Sequence, residues 1–355
     1  MTSPRKTAPK AFRQAHTLAF APLFFQAAMA ARNTGVLDAV RAAKRAGITP
    51  ADVARNAGVS LYAARVMLEG CLAVELVELV DHLTYTLSDA GYLWLTDDMT
   101  RTNANFVQDV CYAGAAQFET SAREGRPAGL SVFGAWPTIY AGLTELPSHV
   151  QDSWFAFDHF FSDRAFPLAF DRLFGRVFAT HPKRLLDVGG NTGKWAVHCL
   201  TRDPQVEVTV LDHPGQLARL RANAEAAGVA ARLTTVPIDL LDHSLAFPTG
   251  FDLVWMSQFL DCFGEADILA LIHRGIAALG ETGELAILES FWDRQPTDVG
   301  EVVVQGLSLY FTCIANGTSR MYHSNDFLEL ISRAGLTVTA DEPVGSMHTL
   351  LRVRA

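Results

Sequence analysis

The chain has 355 residues, 49% of them hydrophobic, and a formal net charge of -9; this allows a large core and two or three domains, and argues against nucleic acid or an anionic membrane as partner. Five widely spaced cysteines (Cys71, Cys111, Cys199, Cys262 and Cys313) without a CxxC, and eleven histidines without an HExxH, exclude a disulfide framework and any recognisable zinc motif. A small neutral or cationic ligand suits such an acidic chain better than a polyanion does.

At the N-terminus, Arg5, Lys6, Lys10 and Arg13 precede an apolar stretch from Leu18 to Ala31, the rough layout of a secretory signal. Pro22 and Gln26 interrupt the stretch, and Arg32 ends it before it could span a bilayer. Leu18, Phe25, Met29 and Val36 recur at near-helical spacing, so an amphipathic first helix is expected, in a cytoplasmic protein with no membrane-inserted segment. ITPADVARNAGVS (48–60) reads as a helix, a turn at Gly58 and a cap at Ser60 for the next helix. Residues 80–95 then alternate and turn like a small hairpin wing. Helix, turn, helix, wing is a DNA-binding layout. The second helix, however, read over 60–76, carries Arg65 as its one base together with Glu69 and Glu75, which is no phosphate-binding footprint. Residues 1–100 are therefore expected to form a winged-helix-like dimerisation domain of a homodimer.

Residues 101–169 read as a connecting helical layer rich in aromatics, among them Phe106, Tyr140, Trp154, Phe157 and Phe161. Most should pack a core, and some could line an aromatic-accepting pocket. From residue 170 to 355, strand patterns at 184–189, 206–212, 231–239, 251–257, 283–291, 336–344 and 348–354 occur, and helical patterns separate the first five. That is a doubly wound α/β domain. After its first strand comes D-V-G-G-N-T-G (187–193). Asn191 stands where GxGxxG needs a glycine, and Trp195 follows Lys194 where a P-loop needs Ser or Thr, so neither pyrophosphate cradle is spelled out. Asp212 ends the second strand, where a carboxylate can accept both ribose hydroxyls, and Asp239 ends the third, where it could accept from an adenine amino group. With Asp187 and the glycines, this set suits a nucleoside without phosphate, S-adenosylmethionine. Each aspartate also has a plainer use as a turn cap or an exposed strand end.

At these residues the chain resembles the small-molecule O-methyltransferases, which include plant phenolic, hydroxyindole and bacterial polyketide-tailoring enzymes. LLDVGGNTG (185–193) matches the family's cofactor turn, which implies contacts from Gly189 and Gly193. VLDHP (210–214) matches its ribose-binding strand end, with Asp212 and His213, and IDLLD (238–242) its adenine edge, with Asp239 and Leu240. In FDHFFSD (157–163), Phe161 stands where the family has a methionine beside the cofactor, and in FDLVWMSQFLDCF (251–263), Ser257 and Gln258 fall near the cofactor. GLSVFGAWPTIY (129–140) and SWFAFDHFFSD look like methyltransferases found with aryl polyene pigment genes. The resemblance implies S-adenosylmethionine as cofactor, S-adenosylhomocysteine as product, no metal, and a small aromatic acceptor, free or carrier-bound.

The family's histidine base is replaced by Asp261; Glu289 matches one of two glutamates that steer that histidine, and the other falls near Ser324. Proton transfer from a phenol to an ordinary aspartate is uphill by roughly 6 pKa units, about 8 kcal/mol. Three roles remain for Asp261: a hydrogen-bond acceptor for a phenol methylated on oxygen, a base (with His323 as rival) for methylation of the ring carbon ortho to a phenol, or a helix cap. Tyr322 could reach the same pocket. The segment 300–311, apolar with Gln305 embedded, reads as a helix roofing a substrate pocket, with plain core packing as the alternative; Phe157, Gln305 and Leu309 are the candidate pocket residues. Two other classes compete: a metabolite-sensing winged-helix regulator and a nicotinamide oxidoreductase.

Overall fold

The computed structural model describes residues 8–175 and 182–355, with the Phe161 side chain outside the described residues. The chain divides into two compact units, Met1–Asn105 and Phe106–Ala355. In the first, helices Lys10–Asn33, Val36–Ala43, Pro50–Ala57 and Leu61–Ala73 precede a hairpin of β1 (Val77–Val80) and β2 (Thr84–Leu87). The punctuation is local. Thr49 accepts from the Asp52 amide and Ser60 from the Ala63 amide, capping two helices, and Gly58 ends the first of them at φ 68°. Leu37, Val53, Leu68, Val77 and Tyr85 bury a small core. The wing stops earlier than its alternation suggested: Ser88 caps a helix, Asp89–Thr96, by accepting from the Gly91 amide at 3.0 Å, so local capping wins over the strand pattern. The 24-residue first helix forms as expected, yet Phe12, Leu18 and Leu23 are 61%, 72% and 65% exposed.

The second unit is built on a seven-stranded sheet. Its strands are β3 (Arg184–Val188), β4 (Glu207–Asp212), β5 (Leu233–Pro237), β6 (Phe251–Ser257), β7 (Leu279–Glu289), β8 (Thr337–Val344) and β9 (His348–Arg354), in the order β5-β4-β3-β6-β7-β9-β8. The first five are parallel, and β9 runs antiparallel to both β7 and β8. Most of β3 and β6, and the stretch 285–288 of β7, are apolar and buried because helices cover both faces, giving two buried clusters, one on each side. The chain leaves β3 for β4 on one side and later returns to β6 on the other. That reversal opens a crevice at the carboxyl ends of β3 and β6, where ligands of open α/β sheets bind.

Candidate active site

The glycine turn closes β3 at this crevice. Gly189 adopts φ 73°, and a Cβ there would stand 2.3 Å from the Phe259 ring, so only glycine fits. Gly193 adopts φ 79° at the head of the helix Lys194–Arg202, and a Cβ on it would meet Leu220 at 2.5 Å. Its part is close helix packing: it is not among the residues lining the crevice. Asn191, also left-handed at φ 49°, donates its amide to Asp212 Oδ2 at 2.8 Å, and His213 donates its amide to Asp212 Oδ1 at 2.6 Å. Asp212 thus ties the turn to the end of β4. Its carboxyl is held above the usual range by burial, while these two amides pull it back down.

Asp212, His213, Asp239 and Leu240 line one end of the crevice together with Gly189 and Gln258. Asp187, Ser257 and Gln258 gather at an adjoining recess with Gly189, Gly190 and Thr192. There Asp187 Oδ2, Ser257 Oγ, Gln258 Nε2 and Asn191 Oδ1 are buried and unpaired among the described residues. Buried polar atoms left unpaired are costly, so a polar ligand group belongs at this recess. An amino-acid head with its ammonium and carboxylate offers donors and acceptors to match. The donor set therefore fits S-adenosylmethionine: a carboxylate for the ribose, an acceptor at the third strand end, and orphaned polar atoms for the methionine head.

Burial, with a contribution from Asp212, pushes the Asp187 carboxyl up to about 8. Burial and nearby Asp158 raise Asp261 to about 7. Both values lie above the ordinary carboxylate value near 4, so the folded state holds protons that the unfolded chain releases. That stabilisation is complete below pH 4 and is lost as the pH rises through the folded values. Buried His348, lowered to about 4, contributes little above pH 6.5. Between pH 6.5 and 8 the ligand-free protein is therefore expected to melt at progressively lower temperature, which calorimetry at constant ionic strength would check.

Beyond the nucleoside end the crevice becomes an apolar chamber. Phe106, Trp154, Phe157, Val304, Leu307 and Met321 line it, and Tyr140, Asp158, Asp261 and Cys262 supply its polar wall. Trp154 donates to the Tyr310 hydroxyl at 2.8 Å and locks that wall. Asp261 lies in the turn Leu260–Cys262 after β6, is 7% exposed, and leaves Oδ1 unpaired among the described residues. It does not cap the following helix: Gly264 holds that position without a side-chain bond. Glu289, at the end of β7, accepts the amides of Phe259 and Leu260 at 3.1 and 2.9 Å. Burial and the neighbouring Asp261 keep its carboxyl well above the usual range, so it serves as a neutral acceptor bracing the turn that carries Asp261. Glu289→Gln preserves such an acceptor and is expected to cost within about 1 kcal/mol; Glu289→Ala strands two buried amides and is expected to cost about 2 kcal/mol or more in urea unfolding.

Three expected site residues lie elsewhere. His323 heads the helix Ser324–Arg333: its Nδ1 accepts from the Asn325 amide at 3.1 Å and stands 3.7 Å from Asp293, so it is a cap and does not line the chamber. Gln305 is exposed and donates to Glu301 at 3.0 Å, and Leu309 is 57% exposed. The helix Asp298–Tyr310 does wall the chamber, but through Val304, Leu307 and Tyr310, the opposite face. Tyr322 is buried and donates to the Phe263 carbonyl, a structural role. Phe157 lines the chamber, whereas Phe161 lies outside the described side chains. Tyr140, one of the aromatics expected to line a pocket, does so, whereas Asp158 was not foreseen as a site residue. Trp154, Phe157 and Asp158 share one helix face by their i, i+3, i+4 spacing, and that is the signal that could have found Asp158.

The chain is similar to known proteins in sequence and in fold. Residues 12–83 match the Dimerisation2-like domain, and residues 170–337 match the O-methyltransferase domain. The L-tyrosine C(3)-methyltransferase of Streptomyces lavendulae is 26% identical over 292 residues, 81% of this chain and 77% of that protein. The 3-amino-4-hydroxybenzoate 4-O-methyltransferase of Streptomyces cremeus is 24% identical over 316 residues, 87% of this chain and 81% of that one. Among solved structures, the mitomycin 7-O-methyltransferase MmcR superposes with a TM-score of 0.70 at 17% identity, covering 97% of both chains, which is a likeness of fold.

Proposed function

Because this chain belongs to the S-adenosylmethionine-dependent small-molecule O-methyltransferases, we infer that it methylates the hydroxyl of a small phenolic acceptor of secondary metabolism, with Asp261 receiving the phenol's hydrogen bond. The observation that carries this reading is the pairing of an Asp212-latched nucleoside end with an apolar chamber whose one orphaned carboxylate oxygen is Asp261 Oδ1 among the described lining residues. S-adenosylmethionine supplies an electrophilic methyl on a sulfonium. The chain's residues do the rest: Asp212 and Asp239 hold the nucleoside, Asp187, Ser257 and Gln258 take the amino-acid head, and the aromatic walls exclude water and align the acceptor. Burial brings Asp261 to about 7, halving the gap to a phenol near 10 that an ordinary aspartate would face.

A second reading is methylation of the ring carbon ortho to the phenol, with Asp261 taking the ring proton. The S. lavendulae relative, named for C(3) methylation of L-tyrosine, favours it, as does the absence of a histidine at this position. Incubation of the purified protein with S-adenosylmethionine and a panel of hydroxyaryl acids, amines and thioesters, followed by mass spectrometry and NMR of the product, separates the two. A methoxy resonance supports oxygen; an aryl methyl with loss of one ring proton supports carbon. No methylated product from any member counts against both. The comparisons give no support to a metabolite-sensing regulator.

The reading includes a cytoplasmic homodimer. The Dimerisation2-like match and the uncovered Phe12, Leu18 and Leu23 support a second copy as partner, and five unpaired cysteines suit a reducing compartment. Light scattering showing a monomer at micromolar concentration would refute the dimer.

A further inference from the structure

We propose that the chamber selects an aromatic acceptor bearing an amine and rejects one bearing a carboxylate, with Asp158 as the residue that holds the ammonium. The inference rests on the methyltransferase reading and names its acceptor class.

The charged groups facing the crevice are of nearly one sign. Asp158 and Asp261 face the chamber, Asp212 and Asp239 stand at the nucleoside end, and Glu289 lies behind the turn that carries Asp261. His213, beside Asp212, is the only basic side chain among the described residues lining the chamber and its nucleoside end, where there is neither lysine nor arginine; His159 and Lys194 line the adjoining recess. Two cations on neighbouring helices are engaged: Lys194 pairs with Asp163 at 3.2 Å, and Arg219 donates to Gln151 at 2.9 Å while lying over the Phe155 ring. An acceptor carboxylate would enter a water-poor space with no cation to meet it and two carboxyls to repel it.

An ammonium meets the reverse situation. Asp158 is set by Asn191, whose side-chain amide donates to its Oδ2 at 3.0 Å, with His159 Nδ1 3.9 Å from the same oxygen; the Asp158 side chain keeps 31% exposure and lines the chamber. Asp261 Oδ1 is taken by the phenol in the proposed reaction, and the Tyr140 hydroxyl, buried there and unpaired among the described residues, remains as an acceptor for an N–H group beside Asp158. Trp154, Phe157 and Phe106 make the lining aromatic, and aromatic rings tolerate a cation better than an anion. Asp158 also belongs to the recess behind the glycine turn, which places it between the two ligand ends.

The test uses the full chain saturated with S-adenosylhomocysteine, so that no sulfonium contributes charge. Binding of three matched phenols is measured by calorimetry: tyramine, 4-ethylphenol and 3-(4-hydroxyphenyl)propanoate. The expected order is amine, neutral, carboxylate, with the amine at least about 100-fold tighter than the acid, each tenfold step corresponding to 1.4 kcal/mol. In Asp158→Asn the amine-to-acid ratio should fall below about 5-fold, and Asp158→Glu, which keeps the charge, should retain most of it. If the acid binds the wild-type protein as well as the amine, the inference is overturned without any variant. A ratio unchanged in Asp158→Asn overturns the assignment to Asp158. Failure of S-adenosylhomocysteine itself to bind would bring down the methyltransferase reading instead, and this inference with it.

Discussion

Asp212→Ala is expected to weaken S-adenosylhomocysteine binding by at least about 100-fold, the loss of two hydrogen bonds to a charged acceptor at about 1.5–3 kcal/mol each. The effect should exceed that of removing a ribose contact alone. Both carboxylate oxygens already receive backbone amides, from Asn191 and His213, so the alanine also releases the left-handed turn that shapes the crevice. Asp212→Asn keeps one acceptor and should fall between wild type and alanine. Calorimetric titration together with a melting curve would separate lost contact from lost shape. Wild-type affinity in the alanine variant would remove Asp212 from the nucleoside site.

Asp261→Asn is expected to lower kcat by about 100- to 1,000-fold, the usual range for a positioned proton acceptor, with little change in S-adenosylhomocysteine affinity. The pH profile should be as informative. Asp261 acts as carboxylate, and burial places its proton affinity at about 7, so kcat/KM should rise with pH below 7 and level off above it. In the asparagine variant that limb should vanish. A fall in kcat of less than about 3-fold would leave alignment and the sulfonium to account for the chemistry.

The α/β domain was legible because its signals are local and repeated. Apolar runs such as RLLDV and FDLVWMS announce strands buried on both faces, and the left-handed positions of the turn fall on Gly189, Asn191 and Gly193. The strand-end aspartates could be placed because a strand's carboxyl end is a defined spot in a doubly wound sheet. Helix rotation was less legible. Gln305 and Leu309 differ from Val304 and Leu307 by about 100° or 200° of turn, and only packing against Trp154 and Phe157 decides which face looks inward. His323 misled for another reason: its ring nitrogen satisfies a helix amide, a use that leaves no mark in composition. Asp158 was hidden by its neighbours, since a single carboxylate inside an aromatic helix reads as solvent-facing until the opposing Asn191 is in place.

Asn191 donates its backbone amide to Asp212 and its side-chain amide to Asp158, which makes one residue the hinge of two equilibria. Whatever fixes the glycine turn also fixes the acceptor-side carboxylate, so the two ligands should bind with positive heterotropic coupling. Thermodynamic reciprocity then demands that each raise the other's affinity by an equal factor. Such a protein would tend to fill in order, nucleoside first, and would leave a solitary acceptor loosely bound when methyl donor is scarce.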